Sequence, residues 1–416
     1  MDYYGLLGCG VVVVILGWTL IHGIRCYNKK TKILLPPGPF SLPFIGNLHN
    51  LILGGDQPHT SFWRLAHKYG PIMTLKLGQK TTIVISSSLV AKEAFKTQDL
   101  ALSSKIDKDA LHAHDHNQFS VIFLTASSSR RKCLRKLLHS SIFSPNRLDA
   151  GQHLRARKIE ELIAYCRQCS QYGTPVDIGQ VASDTLGRRR KKRRCQCNIN
   201  GQKSDPTPVS EQDIFVSGSD SSSAVLEWAM LELMKNPETM KRAKAELAQV
   251  VGENKTIEEK DVGRLPYLQC IMKETLRIHP PSSLLTRKAD QDVELCGYFV
   301  PKGSQVLVNV WAIGRDPDIW EDPLAFKPER FWDSIDLDFH DNNFELIPFG
   351  VGRRMCVGLP LAIRAIPAML GSLLNSFDWT LEENIAPKDL EEKFGLILAK
   401  SRPLRLVPIP LYSRRT

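Results

Sequence analysis

The sequence predicts a mainly α-helical protein with small β-sheets, placed behind an N-terminal membrane-spanning helix. Apolar residues recur at helical spacing over residues 134–172 and 220–279, which predicts the helices. Residues 72–85 and 297–309 alternate apolar and polar side chains and are rich in β-branched residues, which predicts strands. The third observation is an uncharged apolar run at residues 6–24, long enough to cross a bilayer.

Composition places the chain among folded globular proteins. It has 416 residues, 43% hydrophobic and 24% charged, so it can bury a core without disulfide bonds. Its 10 cysteines are spread along the chain, which indicates reduced thiols in a reducing compartment. The net charge is +11, and the run RRRKKRR at residues 188–194 supplies seven positive charges. Because this basic character is local and follows a membrane anchor, we expect no nucleic-acid partner.

A retained membrane anchor is predicted at residues 1–25. A cleaved signal peptide would carry basic residues before its apolar run, but here Asp2 precedes the run and a basic cluster follows it. The positive-inside rule then places the rest of the chain on the cytoplasmic side, at the endoplasmic reticulum. Next comes a predicted hinge at residues 26–40, where prolines around Gly38 fix the backbone and stop the helix.

The remaining residues, 41–416, are expected to form one domain with an anomalous segment. Residues 187–212 contain almost no apolar side chains and are predicted to be a loop or disordered. Amphipathic stretches flank this segment, which indicates that a folded region has been interrupted there. A zinc site made from Cys166-x-x-Cys169 and Cys195-x-Cys197 stays open as an alternative.

The stretch PFGVGRRMCVGLP places one cysteine in a glycine-rich loop. A thiolate is a strong soft ligand, and glycines let main-chain N–H groups approach and stabilise its charge. The string Phe349-x-x-Gly352-x-Arg354-x-Cys356-x-Gly358 resembles the haem-binding loop of the cytochrome P450 superfamily. Most of the chain is similar to plant microsomal members, including geraniol 8-hydroxylase-like enzymes.

The resemblance implies the cytochrome P450 fold, a haem b cofactor and roles for residues of this loop. Cys356 would be the proximal ligand of the haem iron, Phe349 the ring beside its sulfur, and Arg354 a partner of a haem propionate. Gly352 and Gly358 complete the haem-binding pattern. Thiolate ligation pushes electron density onto the iron and favours cleavage of the O–O bond.

Three further charged residues match the family's structural network. Glu274 and Arg277 stand three residues apart in KETLRIHPP, a spacing that by itself indicates an ordinary surface pair. FKPERF follows in the order that the family has, and the resemblance implies that its Arg330 closes a buried network with the other two. We expect this network to hold the core that positions the cysteine loop.

The stretch FVSGSDSSSAVLEWAM resembles the family's helix on the oxygen side of the haem. Asp220 and Ser221 then match the acid and alcohol that relay protons, a task that needs an acid within hydrogen-bonding reach. Serine keeps the hydroxyl of the usual threonine but loses the methyl group that restricts its rotamer. A flexible helix start capped by Asp and Ser is the other interpretation, because the serine run at residues 217–223 is poor in helix formers.

Two positions depart from the family around the haem. Arg131 stands where a tryptophan is usual, while Arg135 keeps the propionate-binding arginine four residues later. The stretch after the HPP motif is one residue short, and Arg287 is its candidate for a further propionate partner. The chain is also shorter than family members, and the shortfall lies between Leu186 and Asp213, where the helices that cover the substrate belong.

The implied reaction inserts one oxygen atom of O₂ into a C–H bond and reduces the other atom to water. The chain shows no nicotinamide- or flavin-binding motif, so an NADPH-dependent reductase should supply the electrons, with the surface around Arg353 as its candidate docking point. The subfamily implies a small hydrophobic substrate, such as the terpenoid alcohol geraniol. The alternative is a non-catalytic, membrane-anchored remnant. Candidate pocket residues, each equally an ordinary core residue, are Val121, Ile122, Phe123, Phe215, Leu284, Leu285, Leu396, Ile397 and Leu398.

The anomalous segment yields a test at the level of the transcript. Our hypothesis is that residues 187–212 come from a translated intron or a mistaken gene model. Sequencing the transcript across Leu186 to Asp213 should then recover a form that lacks the basic run and encodes additional amphipathic helices. A transcript that encodes only the printed residues would contradict this hypothesis.

Overall fold

The computed structural model describes residues 34–52, 57–106, 119–187, 207–333, 339, 343–382 and 387–411. The predicted anchor, the first part of the predicted hinge and the basic run lie outside these residues. The chain divides into two compact units. One comprises Met1–Leu102 and Thr286–Val308, and the other comprises Ser103–Leu285 and Asn309–Thr416.

Helices dominate the described residues, as the hydrophobic periodicity predicted. Several begin at a proline, whose fixed φ suits the first helical turn, and Ser128 and Asp177 accept main-chain N–H bonds at other helix starts. The α-helices are α1 Leu48–Ile52, α2 Pro58–Tyr69, α3 Ser88–Lys92, α4 Ser129–Leu137, α5 Pro145–Ala150, α6 Gln152–Gln171, α7 Ile178–Thr185, α8 Thr207–Lys235, α9 Pro237–Val250, α10 Glu259–Val262, α11 Pro266–Ile278, α12 Val310–Ile313 and α13 Leu359–Ser376.

The strands are short, as predicted, and pair into small sheets. They are β1 Ile72–Leu77, β2 Lys80–Ile85, β3 Val176–Asp177, β4 Leu284–Lys288, β5 Val293–Leu295, β6 Tyr298–Val300, β7 Gln305–Asn309, β8 Phe377–Leu381, β9 Glu392–Lys393, β10 Ala399–Lys400 and β11 Arg405–Pro410.

The first unit is built on a sheet of order β1-β2-β7-β4. Strands β1 and β2 form the hairpin that the alternating pattern predicted, with Ile72 opposite Ile85. Gly78 lies in the connecting turn at φ +62°, a left-handed conformation that favours glycine. Strand β2 then pairs with β7 in parallel, so the core of this unit brings together segments that are distant in sequence.

The proline-rich segment before α1 lies against β1. Thr74 N donates to the Pro37 carbonyl oxygen over 2.8 Å. A Cβ atom at Gly38 would lie 2.0 Å from the Thr74 carbonyl oxygen, so glycine is required at this close approach. Asn47 adds bonds from its amide to the carbonyl oxygens of Pro39 and Phe40. The last part of the predicted hinge is therefore fixed to the sheet of this unit.

The second unit has a core centred on α8, α11 and α13. Each of these helices contributes a buried apolar face, and fully burying one large side chain stabilises the fold by roughly 1.5–3 kcal/mol. Members of this core include Val225, Trp228, Leu268, Ile271, Leu370 and Leu374. Helix α13 is 18 residues long and apolar enough to cross a membrane, but 72% of it is buried inside the protein, as in a core helix.

Helix α8 begins earlier than the sequence predicted. Residues 207–212, predicted to be loop or disordered, are helical, and the serine run at residues 217–223 lies inside the helix rather than at its start. The interpretation as a flexible, capped helix start was therefore wrong. The low helix propensity of serine is overcome because residues 224–233 are almost all buried, and because Ser217 and Ser221 donate their hydroxyl groups to main-chain carbonyls one turn back.

A buried carboxylate on α8 makes the stability of this unit depend on pH. Burial raises the pKa of Glu227 from 4.5 to about 7, while the Leu404 N–H and the positive charge of Lys400 oppose that rise. The folded protein therefore keeps a proton on Glu227 at pH values where the unfolded chain has released it. The free energy of unfolding should consequently fall as pH rises from 4.5 to about 7.

Glu227→Gln should remove this loss, because the amide keeps the oxygen acceptor for Leu404 N–H without the charge. Urea unfolding measures the free energy of unfolding between pH 5 and pH 7.5. The decrease in this free energy over the range should be about 1–3 kcal/mol smaller in the variant than in the wild type. Glu238→Gln, at an exposed position on α9, is the matched control and should keep the slope of the wild type. Identical slopes in all three proteins would contradict the assignment.

Candidate active site

The cysteine loop lies between a short stretch of buried residues and α13. Cys356 N donates to the Phe349 carbonyl oxygen over 2.9 Å, which closes the loop on itself. Gly350 and Gly352 adopt φ values of +70° and +65°, which explains glycine at both positions. The loop therefore places Cys356 immediately before the first turn of α13, whose N-cap is Gly358.

The Cys356 sulfur accepts two main-chain N–H bonds, and the residue is exposed. The donors are the N–H groups of Gly358 and Leu359. Desolvation by neighbouring protein atoms raises the pKa of the thiol, and the two N–H groups and the Arg135 guanidinium act to lower it. These donors and this positive charge are the groups of the loop that stabilise a thiolate.

Two arginines of α4 bind the main chain of the cysteine loop. Arg135 Nη1 donates to the Met355 carbonyl oxygen over 2.9 Å, and Arg131 Nη2 donates to the Arg353 carbonyl oxygen over 2.8 Å. Arg131 is 4% exposed, so the residue that departs from the family's usual tryptophan is a buried loop anchor here. Arg353 itself has an exposed side chain.

Arg354 ties the cysteine loop to the chain before α4. Its guanidinium donates to three main-chain carbonyl oxygens, those of Ser103, Ile122 and Leu124, over 2.5–2.9 Å. Charge-assisted bonds of this kind are roughly twice as strong as neutral ones. The predicted pocket segment around Ile122 is therefore joined directly to the cysteine loop.

The structure brings Glu274, Arg277 and Arg330 together in a buried network. Arg277 Nε and Nη2 form a two-point pair with the Glu274 carboxylate over 2.7 and 2.8 Å, and Arg330 Nε reaches the same carboxylate over 3.1 Å. The side chains of Glu274 and Arg277 are 0% exposed. Lys327 N also donates to Glu274. The default interpretation of the Glu-x-x-Arg spacing, an exposed surface pair, does not apply.

Arg277 extends this network into the neighbouring loops. Its guanidinium donates to the carbonyl oxygens of Gly314, Pro323 and Ala325, and its charge lies 5.4 Å from the centroid of the Trp320 ring. Trp320 packs with Phe331 and Leu346 in a small apolar cluster. Because Leu346 lies just before the cysteine loop, α11 and that loop are connected through one continuous set of contacts.

Helix α8 carries the predicted proton-relay residues to the core of this unit. Asp220 is half-buried, and the Ser221 hydroxyl donates to the Ser217 carbonyl oxygen over 2.5 Å. Ser223 donates to the Asp220 carbonyl oxygen over 3.1 Å. Helix α8 packs against α13, the helix that starts directly after the cysteine loop.

The predicted pocket residues have unequal environments. Leu285 is 9% exposed and its side chain lies against Gly350 of the cysteine loop. Val121 packs on a small cluster that includes Leu138, whereas the side chain of Phe215 lies outside the described residues. The other positions divide into half-buried Ile122, Phe123, Leu284 and Ile397, exposed Leu396 and fully buried Leu398.

A cavity of about 270 Å³ lies beside Phe349. It is lined mainly by apolar side chains, including Met272 and Leu276 of α11 and Ala362 and Ile366 of α13. Its described lining contains none of the predicted substrate-pocket residues. This cavity is therefore a feature of the packing around α11 and α13.

Arg287 and the cysteines of the predicted zinc site have surroundings of their own. Arg287 belongs to the first unit, where it is 2% exposed and its charge lies 5.3 Å from the centroid of the Phe95 ring. Cys166 and Cys169 are buried in α6, and burial raises the pKa of Cys166 to about 12. Within the described residues no cluster of three or more His, Cys, Asp or Glu side chains can hold a metal ion. Cys195 and Cys197 lie outside those residues.

A model of the cytochrome P450 family matches residues 36–186 and 209–407. The chain belongs to the cytochrome P450 family. The match omits residues 187–208, which fall in the anomalous segment. Members of this family carry a haem whose iron is bound by a cysteine thiolate, so the protein is a haem-thiolate monooxygenase.

Characterised relatives match the chain over nearly its whole length. It is 48% identical to geraniol 8-hydroxylase of Catharanthus roseus, covering 99% of this chain and 100% of the relative. It is 48% identical to geraniol 8-hydroxylase of Swertia mussotii, covering 94% and 97%. It is 43% identical to geranylhydroquinone 3''-hydroxylase of Arnebia euchroma, covering 99% of each. This similarity to enzymes does not favour the alternative of a non-catalytic remnant.

The first of these alignments also measures the shortfall in this P450. It runs over 503 positions, 87 more than the 416 residues of the chain. At least that many positions of the Catharanthus enzyme therefore have no counterpart here.

The residues around Cys356 fit a haem iron. The sulfur has two main-chain N–H donors and a guanidinium nearby, and the residue is exposed, which suits a metal-bound thiolate. Leu285 and Gly350 add an apolar contact beside the loop.

Sequence reasoning missed a second buried polar network on α8. Trp228 stacks on His279, and His279 contacts the carboxylates of Glu232 and Glu392. His279 stands in KETLRIHPP, directly after the residues that were recognised, but a single histidine before two prolines carries no periodic or spacing signal. The partners of His279 are separated from it by tens of residues, so no local sequence pattern predicts these contacts.

Glu274→Gln should destabilise the P450 by about 3–5 kcal/mol, because it leaves two buried arginines without their shared negative charge. Urea unfolding and haem content of the purified protein measure the effect. Glu161→Gln on α6 removes an exposed carboxylate that pairs with Lys158, and it should cost less than about 1 kcal/mol. Equal costs for the two variants would show that burial of the network contributes nothing.

Proposed function

We propose that the chain hydroxylates a small terpenoid alcohol of the geraniol type, with Cys356 as the ligand of its haem iron. The observation that carries the proposal is the Cys356 sulfur, which receives two main-chain N–H bonds at an exposed position in the glycine-rich loop. The names of the relatives at 43–48% identity support a terpenoid substrate. Bound haem would supply the oxygen-activating chemistry, namely cleavage of the O–O bond of O₂ with two electrons from a reductase.

The residues around the sulfur would hold the haem and tune its ligand. The N–H groups of Gly358 and Leu359 stabilise negative charge on Cys356, and Phe349 closes the loop through its carbonyl oxygen. Arg135 and Arg354 place two guanidinium groups at this loop, where the family pattern puts partners of the haem propionates. Each guanidinium already orients the loop by its bonds to main-chain oxygens. The same side chains would therefore both bind the haem and position the loop.

Asp220 and Ser221 would handle the protons that the reaction consumes. An acid and a hydroxyl group in adjacent positions on one helix would be able to take up a proton from solvent and hold it for the reaction. The hydroxyl proton of Ser221 points to the Ser217 carbonyl oxygen, which leaves the oxygen lone pairs of Ser221 to accept a proton from a water molecule or from Asp220. Ser221 then has to rotate to donate, and serine rotates more freely than threonine.

The substrate would be held by apolar contact near the cysteine loop. Leu285 lies against Gly350, and Ile122 and Phe123 belong to the segment that Arg354 binds. Contacts of this class suit an isoprenoid chain and give little discrimination between substrates that differ by one methylene group. A terpenoid alcohol offers one polar end, which fixes its orientation only if a polar group of the pocket meets it.

Electrons would come from a separate NADPH-dependent reductase at the endoplasmic reticulum membrane. The exposed Arg353 projects from the cysteine loop, and a cationic surface there suits an acidic partner. The uncharged run at residues 6–24 would anchor this protein to the membrane that carries the reductase, which would raise the effective concentration of the two partners.

The reduced, carbon monoxide-bound difference spectrum tests the proposed haem ligand. The wild-type protein should show the far red-shifted Soret band of a thiolate-bound haem, and Cys356→Ser should lose it. Cys133→Ser is the matched control, since Cys133 is an exposed thiol on α4, and it should keep the band. A band that persists in Cys356→Ser would overturn the assignment.

Turnover of geraniol with a plant NADPH-dependent reductase tests the substrate. The expected result is an NADPH-dependent hydroxylated product that is absent from Cys356→Ser. A protein with the thiolate spectrum that leaves geraniol and related terpenoid alcohols unchanged would overturn the substrate while leaving the haem ligand intact.

A further inference from the structure

We propose that Trp228 is a positioning residue. Its buried indole fixes the two loops predicted to line the substrate pocket, one leading to Leu284 and Leu285 and the other at residues 396–398. The inference rests on the proposed function, because it concerns the regiochemistry of that reaction. Trp228 lies on α8 and is 2% exposed. Its position is eight residues, about two helical turns, beyond the proton-relay residue Asp220.

Hydrogen bonds from Trp228 connect three separate chain segments. Its indole Nε1–H donates to the Leu398 carbonyl oxygen over 3.1 Å. Leu398 N in turn donates to the Pro281 carbonyl oxygen over 2.8 Å. Since Leu398 follows Ile397 and Pro281 precedes Leu284, both candidate pocket loops are tied to α8 through this short chain of bonds.

The indole is held in place by a stack with His279. The ring centroids are 4.0 Å apart and the planes are nearly parallel, at 6°. His279 Nε2 lies 3.1 Å from Glu232 on α8, and its Nδ1 lies 2.7 Å from Glu392 on β9. Contact of both ring nitrogens with carboxylates fixes the orientation of the imidazole, and the stack passes this constraint on to Trp228.

Two further contacts complete the arrangement. Trp311 Nε1 donates to the second oxygen of Glu392 over 2.9 Å, and Trp311 N donates to the Ser283 carbonyl oxygen over 3.3 Å. The Lys400 ammonium lies 5.0 Å from the centroid of the Trp228 ring, a distance that favours a cation–π interaction. Trp311 therefore links the segment before Leu284 to Glu392, the carboxylate that contacts the His279 ring stacked on Trp228, while Lys400, shortly after Ile397, lies over the Trp228 ring itself.

This arrangement bears on which carbon of the substrate is oxidised. An apolar pocket holds a flexible isoprenoid chain by shape, so a displacement of about 1 Å in one wall is enough to change the carbon that meets the oxidant. The indole sets the distance from α8, which carries Asp220, to the loops of Leu284 and Ile397. Its effect is therefore on the position of oxidation more than on the strength of haem binding.

The test compares Trp228→Phe with Trp379→Phe. Phenylalanine keeps an aromatic ring but removes the N–H donor. Trp379 provides a matched control, because it is 6% exposed and its Nε1 donates to the Leu373 carbonyl oxygen over the same 3.1 Å, a local bond that involves neither pocket segment. Both variants thus lose one buried indole-to-carbonyl bond of equal length.

The first readout is the ratio of products oxidised at different carbons of geraniol. We expect Trp228→Phe to change this ratio at least threefold and Trp379→Phe to leave it within experimental error, with the thiolate spectrum retained in both. An unchanged ratio in an active Trp228→Phe protein would overturn the proposal. So would an equal change in the two variants.

The second readout does not need activity. Hydrogen exchange of the Leu398 amide, which donates to Pro281, should be at least tenfold faster in Trp228→Phe than in the wild type and unchanged in Trp379→Phe. If the wild type does not oxidise geraniol, the proposed function fails and this exchange still decides the positioning role. If Trp228→Phe does not fold, His279→Gln removes the stacked ring instead and should accelerate exchange at Leu398. Unaltered exchange there would refute the inference.

Discussion

A fully buried carboxylate between two arginines is the constraint on which the rest of this P450 depends. Glu274 meets Arg277 and Arg330 where none of its side chain reaches solvent, so each charge is stable only while the others are present. Arg277 then uses its remaining donors on the carbonyl oxygens of Pro323 and Ala325. A loop with little regular structure is thereby held rigidly beside α11, and through the Trp320 cluster this rigidity reaches the cysteine loop.

Arginine serves the cysteine loop in the same way. Arg131, Arg135 and Arg354 each donate to main-chain oxygens, because a guanidinium offers several donors in a fixed plane and matches carbonyl groups of an irregular backbone. A sheet or helix would satisfy those oxygens by its own ladder. Here the loop keeps an irregular backbone in which Cys356 is exposed, and the three arginines hold that backbone in place.

Sequence reasoning predicted the elements that a local pattern or a family motif specifies. It missed the elements that depend on partners distant in the chain. The strands at residues 72–85 follow from local alternation of apolar and polar side chains. The Glu274 network was expected from the family resemblance, because the Glu-x-x-Arg spacing alone indicates a surface pair. The start of α8 at Thr207 was missed, because packing of its apolar second half outweighs the low helix propensity of its serines. The stack of Trp228 on His279 was missed for a different reason, since the two rings and the carboxylates that contact His279 come from three distant segments and share no spacing.

The segment before α1 has a consequence for the solubility of shortened proteins. Strand β1 is the outermost strand of its sheet, and its main chain is covered by Pro37 and by a bridge from Gly46 to Leu77. Leu34 likewise accepts a bond from Phe299 N. An uncovered edge strand pairs readily with a second chain. A version that begins after residue 40 would keep the Gly46 bridge but lose the Pro37 bond to Thr74, so it would uncover part of this edge, whereas one that begins at Leu34 keeps both.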